Sequence, residues 1–386
     1  MLNFELYNPT RLLYGKGQIA EVSNLIAPGS KVLLAYGGGS IFKNGIYDQV
    51  KAALSDFEVI EFGGIEPNPH YETLIKGVAL AQREKVDFIL GVGGGSVIDG
   101  VKFIASAIYF EGDAKDIILK IRRVDWQTMP YGAVLTLPAT GSEMNNGGVV
   151  TIVETNDKMS FSGEPLYPQF AICDPTVVGS LPIRQIANGL ADSFVHVLEQ
   201  YITYPQNAAL QDRFAESILA TIIEVAPRIL KDPKDYDAAM TYMWSCTMAL
   251  NGLIGKGVAQ DWVTHAIGHE LTAMYGIDHG RTLAIIGPNL YRVMIDSKKE
   301  KLAQFGKRVF AISGQDDETI ALEAIEQMVA FFHSLGIQTT LSAYTDKYED
   351  AADRIVKRFN GRNWTVLGEK KLITLEKVNE IVKRSY

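Results

Sequence analysis

The chain has 386 residues, 47% of them hydrophobic and 21% charged, ordinary proportions for a globular protein long enough to hold two cores. A formal net charge of −8 argues against nucleic acid or an anionic membrane as a partner, although local amides and helix ends still let an acidic protein hold a phosphate. No apolar run approaches the roughly 18 residues of a bilayer span, the N-terminus does not read as a signal peptide, and two isolated cysteines, Cys173 and Cys246, fit reduced thiols in the cytoplasm.

Short apolar runs at 31–36, 57–62, 86–92, 132–137, 149–153 and 170–173 read as buried strands. Helical patterns lie between several of them, at 44–54, 69–85 and 97–109, with Pro69 suited to a first turn and Asn68 to its cap. Strand alternating with helix predicts a mostly parallel sheet covered on both faces. After Asp174 and Pro175 the pattern turns helical, over 182–204, 207–231, 236–254, 257–275, 298–313, 317–335 and 373–385. The expected organisation is an α/β dinucleotide-binding domain over 1–178 and an all-α domain over 179–386. Within the helical part, Trp244, Met248, Trp262, Met274 and Tyr275 read as core rather than pocket.

Gly-Gly-Gly-Ser occurs twice, at 37–40 and 93–96, each time between an apolar run and a helical pattern. Glycines at such a junction let a phosphate approach the backbone, and free amides at the helix start donate to its oxygens. Asp99 is expected in the first turn of the second helix, where a carboxylate complements the dipole. A third loop, 136–143, follows another strand, and three such loops make a cofactor crevice. No Asp or Glu lies between Lys31 and Gly45, where an NAD-selective site often places an acid for the ribose hydroxyls; Ser40 and Lys43 are there instead, favouring NADP(H).

Asp192 and His196 are one helical turn apart, as are His265 and His269, so each pair shares a helix face. His279 follows Gly276 and is expected beyond a helix end. Imidazoles with one carboxylate make a nitrogen/oxygen donor set that suits Zn²⁺ or Fe²⁺. Spacing alone does not separate His265 from His269 as a ligand. Glu270 follows His269 directly, so the zinc-protease pattern is absent. Phosphate loops together with a metal site point to a nucleotide-dependent metalloenzyme.

Carrying these residues, the chain resembles the iron-containing (group III) alcohol dehydrogenases, and within them the NADPH-dependent aldehyde reductases and butanol dehydrogenases. The likeness runs through segments 7–17, 63–69, 93–99 and 137–143, the Asp192/His196 pair and the His265-to-His279 stretch. It implies a dehydroquinate-synthase-like nucleotide domain, a helical domain, and an active site between them. It also implies that Asp192, His196, His265 and His279 bind one divalent metal, with His269 a catalytic non-ligand beside the nicotinamide. Cofactor contacts carry over to Gly37, Gly38, Gly39, Ser40, Asn68, Gly94, Gly95, Ser96, Asp99, Thr136, Asn145 and Lys158. A cytoplasmic homodimer acting on a small aldehyde or alcohol completes the expectation, with pairing of N-terminal strands between subunits. The rival readings are an NAD-linked diol or glycerol dehydrogenase, a lyase resembling dehydroquinate synthase, and a non-catalytic metal- or nucleotide-binding protein.

Overall fold

The structure, a computed structural model, describes residues 1–314 and 316–386. Its strands are β1 (Arg11–Tyr14), β2 (Lys31–Tyr36), β3 (Glu58–Phe62), β4 (Phe88–Gly94), β5 (Tyr131–Leu137), β6 (Gly147–Ile152), β7 (Asp157–Ser162), β8 (Phe170–Cys173), β9 (Val366–Leu367) and β10 (Ile373–Thr374). The α-helices up to the middle of the chain are α1 (Val22–Leu25), α2 (Ser40–Lys43), α3 (Ile46–Ala53), α4 (Tyr71–Glu84), α5 (Gly95–Ala107), α6 (Ile183–Tyr201) and α7 (Ala209–Lys231). They continue with α8 (Tyr236–Ala249), α9 (Val263–Tyr275), α10 (His279–Val293), α11 (Ile295–Val309), α12 (Asp317–Ser334), α13 (Ala351–Gly361) and α14 (Leu375–Lys383). Two compact units result. One gathers Tyr7–Ile186 with Lys231–Asn251, the other Met1–Leu6 with Ala187–Leu230 and Gly252–Tyr386.

The first unit is built on a six-stranded, all-parallel sheet in the order β1-β8-β5-β4-β2-β3. Val32, Leu33, Leu34 and Ala35 are fully buried, as the unbroken apolar run of a strand covered on both faces requires. Register places Val32 beside Phe88, Ile89 beside Tyr131 and Gly132 beside Phe170. The order has one reversal: β3 lies on one side of β2, whereas β4, β5 and β8 extend from the other. Ligands of open α/β sheets settle at the carboxyl ends of the strands that flank such a reversal. Here those strands are β2 and β4, the two that run into Gly-Gly-Gly-Ser.

Three expectations need correction in this unit. The apolar run at 149–153 forms a strand outside the large sheet: β6 pairs antiparallel with β7 across a short turn that includes Asn156 at φ 56°. So short a connection closes a hairpin, whereas a parallel partner needs a crossover of a dozen or more residues. Asn68 does not cap a helix. It takes φ 55°, and α4 begins at Tyr71 with His70 at its cap, because Pro69 O accepts from Thr151 N at 2.8 Å and His70 bridges Thr151. Nor does Asp99 sit in the first turn of α5 to serve the dipole; its carboxylate is engaged with the 142–149 loop.

α8 belongs to this unit as well. Its Tyr242 hydroxyl donates to Pro138 O at 2.6 Å, and Thr247 Oγ1 donates to Glu143 Oε1 at 2.6 Å. It ends at Ala249, short of the expected 254, in a stretch that holds Gly252, Gly255 and Gly257, two of them at positive φ.

In the helical unit, α9 packs on α10, α11 on α12, and α13 on α14. Phe194, Phe305, Phe331 and Phe332 form an aromatic cluster at its centre, and burying each such ring contributes about 1.5–3 kcal/mol. The helices at 279–293 and 351–361 were not anticipated; Pro288 lies inside the first and interrupts its pattern. β9 and β10 are two residues each. Among the described residues, no helix is long and apolar enough to cross a membrane.

Candidate functional site

The neighbouring strands β2, β4 and β5 are parallel, so the loops after their carboxyl ends share one edge of the sheet. Gly37, Gly38 and Gly39 lead from β2 into α2 at Ser40. A Cβ built on Gly38 meets nothing within 4 Å. Gly94 and Gly95 join β4 to α5; a Cβ on Gly95 would stand 2.3 Å from Thr140 Oγ1, so the third loop presses on the second closely enough to demand glycine. Ser96 Oγ accepts from Asn68 N at 3.2 Å, tying the 63–69 loop to the same edge. Thr136 is buried on β5 and Lys158 on β7.

Lys102 lies beneath these loops with no exposed surface. Its ammonium donates to Ser142 Oγ at 2.8 Å, Asn145 Oδ1 at 2.8 Å and Gly147 O at 2.6 Å, which uses all three protons. Burial lowers its pKa to about 8, against the opposing charges of Asp99 and Glu143. Asp99 accepts from Ser142 Oγ at 2.6 Å and Val149 N at 2.9 Å; burial raises its pKa, and Lys102 leads the influences that lower it. Asn145 Oδ1 also takes Gly147 N at 3.0 Å, while its amide donates to Gly141 O at 3.0 Å. The side chains of Asp99 and Asn145 thus brace the loop that would face a cofactor.

One acid does lie beside the first loop's strand. Glu61, on β3, accepts from Tyr36 at 3.0 Å, Tyr47 at 2.6 Å and Lys51 at 3.3 Å, and the Tyr47 hydrogen bond leads the influences that hold its carboxyl below the usual range. Its charge is already engaged, while Lys43 is exposed.

In the helical unit, Asp192, His265 and His279 converge: one ligand atom from each lies within 4.8 Å of the others. Asp192 Oδ1 is buried without a hydrogen-bond partner among the described residues. It stands 3.7 Å from His196 Nδ1, 3.8 Å from His279 Nε2 and 4.0 Å from His265 Nε2. Those separations are long for hydrogen bonds, yet close to the roughly 3.4 Å between two ligands of a tetrahedral ion with bonds near 2.1 Å. A buried carboxylate oxygen ringed by imidazole nitrogens fits a divalent cation. His196 stacks on His265 with ring centroids 4.5 Å apart, alongside the tight trio. His269 lies 4.9 Å from His279 by ring centroid and is half-buried.

Local structure explains this convergence. α6 carries Asp192 and His196, and α9 carries His265 and His269 and ends at Gly276 in the left-handed region. His279 opens α10 directly afterwards. Asn188 on α6 pins that opening: its amide donates to Asp278 Oδ2 at 2.7 Å, and its Oδ1 accepts from Arg281 Nε at 2.9 Å. A Cβ on Gly280 would come within 2.4 Å of Asn188 O, so glycine lets α10 start against α6. Glu270 is clamped by Arg358 and by Arg362, the latter at 2.5 Å, which fastens α9 to α13.

Sequence reasoning missed Asn188, Glu199 and Trp262. Glu199 contacts His265 Nδ1 and accepts from Thr264 N at 2.7 Å; burial first, then the charge of Asp261, pushes its carboxyl well above the usual range. Trp262 is not core. None of Trp244, Met248, Trp262, Met274 and Tyr275 is buried, and Trp262 meets His265 edge-on with centroids 5.3 Å apart. Aromatic character cannot separate core from site wall, because both exclude water with the same surface. Further from the ligands, Lys298 Nζ joins Asp261 at 2.9 Å and Glu369 at 3.0 Å. Burial and a hydrogen bond with Asp261 push Glu369 up to about 7.

Comparison with known proteins agrees with this architecture. Residues 9–175 match the family described as iron-containing alcohol dehydrogenase, and residues 186–386 match the C-terminal part of the Fe-containing alcohol dehydrogenase family. The chain is 49% identical over 379 residues to the NADPH-dependent aldehyde reductase YqhD of Escherichia coli, covering 97% of each chain. It is 40% identical to the probable NADH-dependent butanol dehydrogenase 1 of Bacillus subtilis, over the full length of both. The crystal structure of E. coli YqhD superposes with a TM-score of 0.97 at 46% identity, covering 100% of this chain and 99% of that one. NADH-dependent butanol dehydrogenase A of Thermotoga maritima gives 0.95 at 35% identity, with the same coverage. The chain belongs to the iron-containing alcohol dehydrogenase family and is an oxidoreductase.

Proposed function

We propose that this protein is a metal-dependent, NADP(H)-linked oxidoreductase acting between short-chain aldehydes and primary alcohols, as an aldehyde reductase. The observation that carries the metal reading is the buried Oδ1 of Asp192, which has no hydrogen bond among the described residues and lies among imidazole nitrogens. Asp192, His196, His265 and His279 would hold one Fe²⁺ or Zn²⁺, since nitrogen and carboxylate donors suit both. Such an ion supplies Lewis acidity toward a carbonyl or alkoxide oxygen. His269, half-buried beside His279, would pass the proton between solvent and the alcohol oxygen.

The nucleotide would be held by amides of the loops at Gly37, Gly38, Gly39 and Ser40 and at Gly94, Gly95 and Ser96, with Asn68, Thr136 and Lys158 completing the contacts and Asp99 and Asn145 supporting them. Preference for NADP(H) follows from the open space at Gly38, the exposed Lys43 and the engaged charge of Glu61. Residues 1–178 are proposed as the NADP-binding domain and 179–386 as the metal and substrate domain, in a cytoplasmic homodimer. The exposed Met1, Leu2, Phe4 and Leu6 are the surface such a dimer would cover.

A second reading, an NAD-linked dehydrogenase, draws on the relatives named for NADH. One assay decides both points. Metal-stripped protein is reconstituted separately with Fe²⁺ and Zn²⁺, and the initial rate of NADPH or NADH oxidation is followed over a panel of short-chain aldehydes. Metal-dependent turnover favouring NADPH is expected. Equal rates without metal would dismiss the reading, and a preference for NADH would select the alternative.

A further inference from the structure

Glu199 lies on α6 seven residues beyond Asp192, which returns it to the same helix face after two turns. It is 2% exposed, and its two carboxylate oxygens have different tasks. Oε1 accepts from Thr264 N at 2.7 Å, one of the first-turn amides of α9 that have no partner within their own helix. Oε2 meets Nδ1 of His265. The other ring nitrogen of His265, Nε2, faces Asp192 Oδ1 at 4.0 Å. The imidazole is thereby divided, one nitrogen toward Glu199 and the other toward the ligand trio.

We propose that Glu199 is a positioning residue for His265, keeping the ring proton on Nδ1 so that the Nε2 lone pair points at the cation. This rests on the reading of Asp192, His265 and His279 as metal ligands. Neutral imidazole has one donor nitrogen and one acceptor, and only the acceptor binds a cation. A carboxylate is an acceptor at both oxygens, so it selects the Nδ1–H tautomer while still receiving the Thr264 amide, and the charge of a bound cation would oppose the burial that raises this acid. Glutamine cannot do both. Its single carbonyl oxygen cannot occupy both acceptor positions, and an NH₂ turned toward His265 would select the Nε2–H tautomer, which closes the ligand nitrogen.

The surroundings separate this role from simple packing. Asp261 N donates to Glu199 O at 2.8 Å, and Asp261 Oδ1 accepts from Val263 N at 3.1 Å. Lys298 holds Asp261 Oδ2 at 2.9 Å. The start of α9 is therefore fastened to α6 without the Glu199 side chain, and replacing that carboxylate acts first on the ring.

The test measures metal binding and tautomer directly. Metal-free wild type, Glu199→Gln and His265→Ala are titrated with Zn²⁺ against a chromophoric chelator, and ¹⁵N-imidazole NMR of the zinc-loaded proteins reads the ring protons. Glu199→Gln should bind Zn²⁺ about 10–100-fold more weakly, with the His265 Nδ1–H signature lost or diminished. His265→Ala should lose tight binding altogether. Wild-type affinity and an unchanged tautomer in Glu199→Gln would overturn the positioning role. Wild-type affinity in His265→Ala would instead overturn the metal site itself. If Glu199→Gln does not fold, the zinc-loaded wild type still decides: a His265 that carries no proton on Nδ1 removes the proposal.

Discussion

At the carboxyl edge of the sheet, the proposed nucleotide contacts are mainly main-chain amides, and the buried Lys102 and Asp99 are spent on the loops themselves. Around Asp192 the offered groups are side chains, and the backbone serves only to aim them. Lys102 uses all three of its protons on Ser142, Asn145 and Gly147, so the loops at that edge are braced by the chain itself. Asp192 Oδ1 has no donor at all among the described residues, and a cation would supply the partner that this one oxygen lacks. An anion is well met by fixed dipoles, which cost little to desolvate. A transition metal needs lone pairs on deprotonated side chains, which are costly to bury without the ion.

That contrast predicts how each region fails. The largest effect is expected for His265→Ala, which should lose the metal and nearly all turnover while NADPH binding, read by fluorescence titration, persists; full activity in the metal-free variant would erase the contrast. Next is Lys102→Met. It strands the acceptors Ser142, Asn145 and Gly147 and the buried Asp99 carboxylate, and should lower stability by about 3–5 kcal/mol in denaturant unfolding, with metal content per folded molecule unchanged. A variant as stable as wild type would show that the brace under the loops is dispensable.

Gly38→Asp should act on selectivity alone. Its side chain enters open space, so the fold should hold. Repulsion of the 2′-phosphate should raise KM for NADPH several-fold more than KM for NADH, and an unchanged ratio would dissociate the first loop from cofactor choice. The smallest effect concerns pH. Glu369 is held near 7 by burial and by Asp261, above the ordinary 4.5, so the folded protein binds more protons than the unfolded chain between those values. Its contribution to stability is complete below about pH 4.5 and is lost as pH rises through 7. Glu369→Gln should flatten that decline in a pH series of unfolding midpoints.

The strands of the parallel sheet were readable because they are buried on both faces and appear as unbroken apolar runs, as in Val32 to Ala35. The run at 149–153 has the same composition, yet it pairs with β7 in a hairpin, since composition reports burial and not partner. α10 went unread because Pro288 interrupts the pattern, although Pro288 sits well inside a helix that packs on α9. Nothing in the sequence marks Glu199, because a lone Glu seven residues after Asp192 looks like any helical acid. Trp262 reads as core because of the same water-excluding surface that makes it a wall beside His265.

Sequence alone determined the kinds of chemistry present: glycines at strand ends, a carboxylate and imidazoles at helical spacing, and no acid between Lys31 and Gly45. These are local properties, set by residue type and by the 3.6-residue turn. Tertiary structure alone decided that β2 and β4 flank the reversal in strand order, that Asp192 meets His265 and His279 from separate helices, and that Glu199 takes the far nitrogen of His265. Those facts depend on which elements pack together across tens of residues, and that choice belongs to the whole core rather than to any segment.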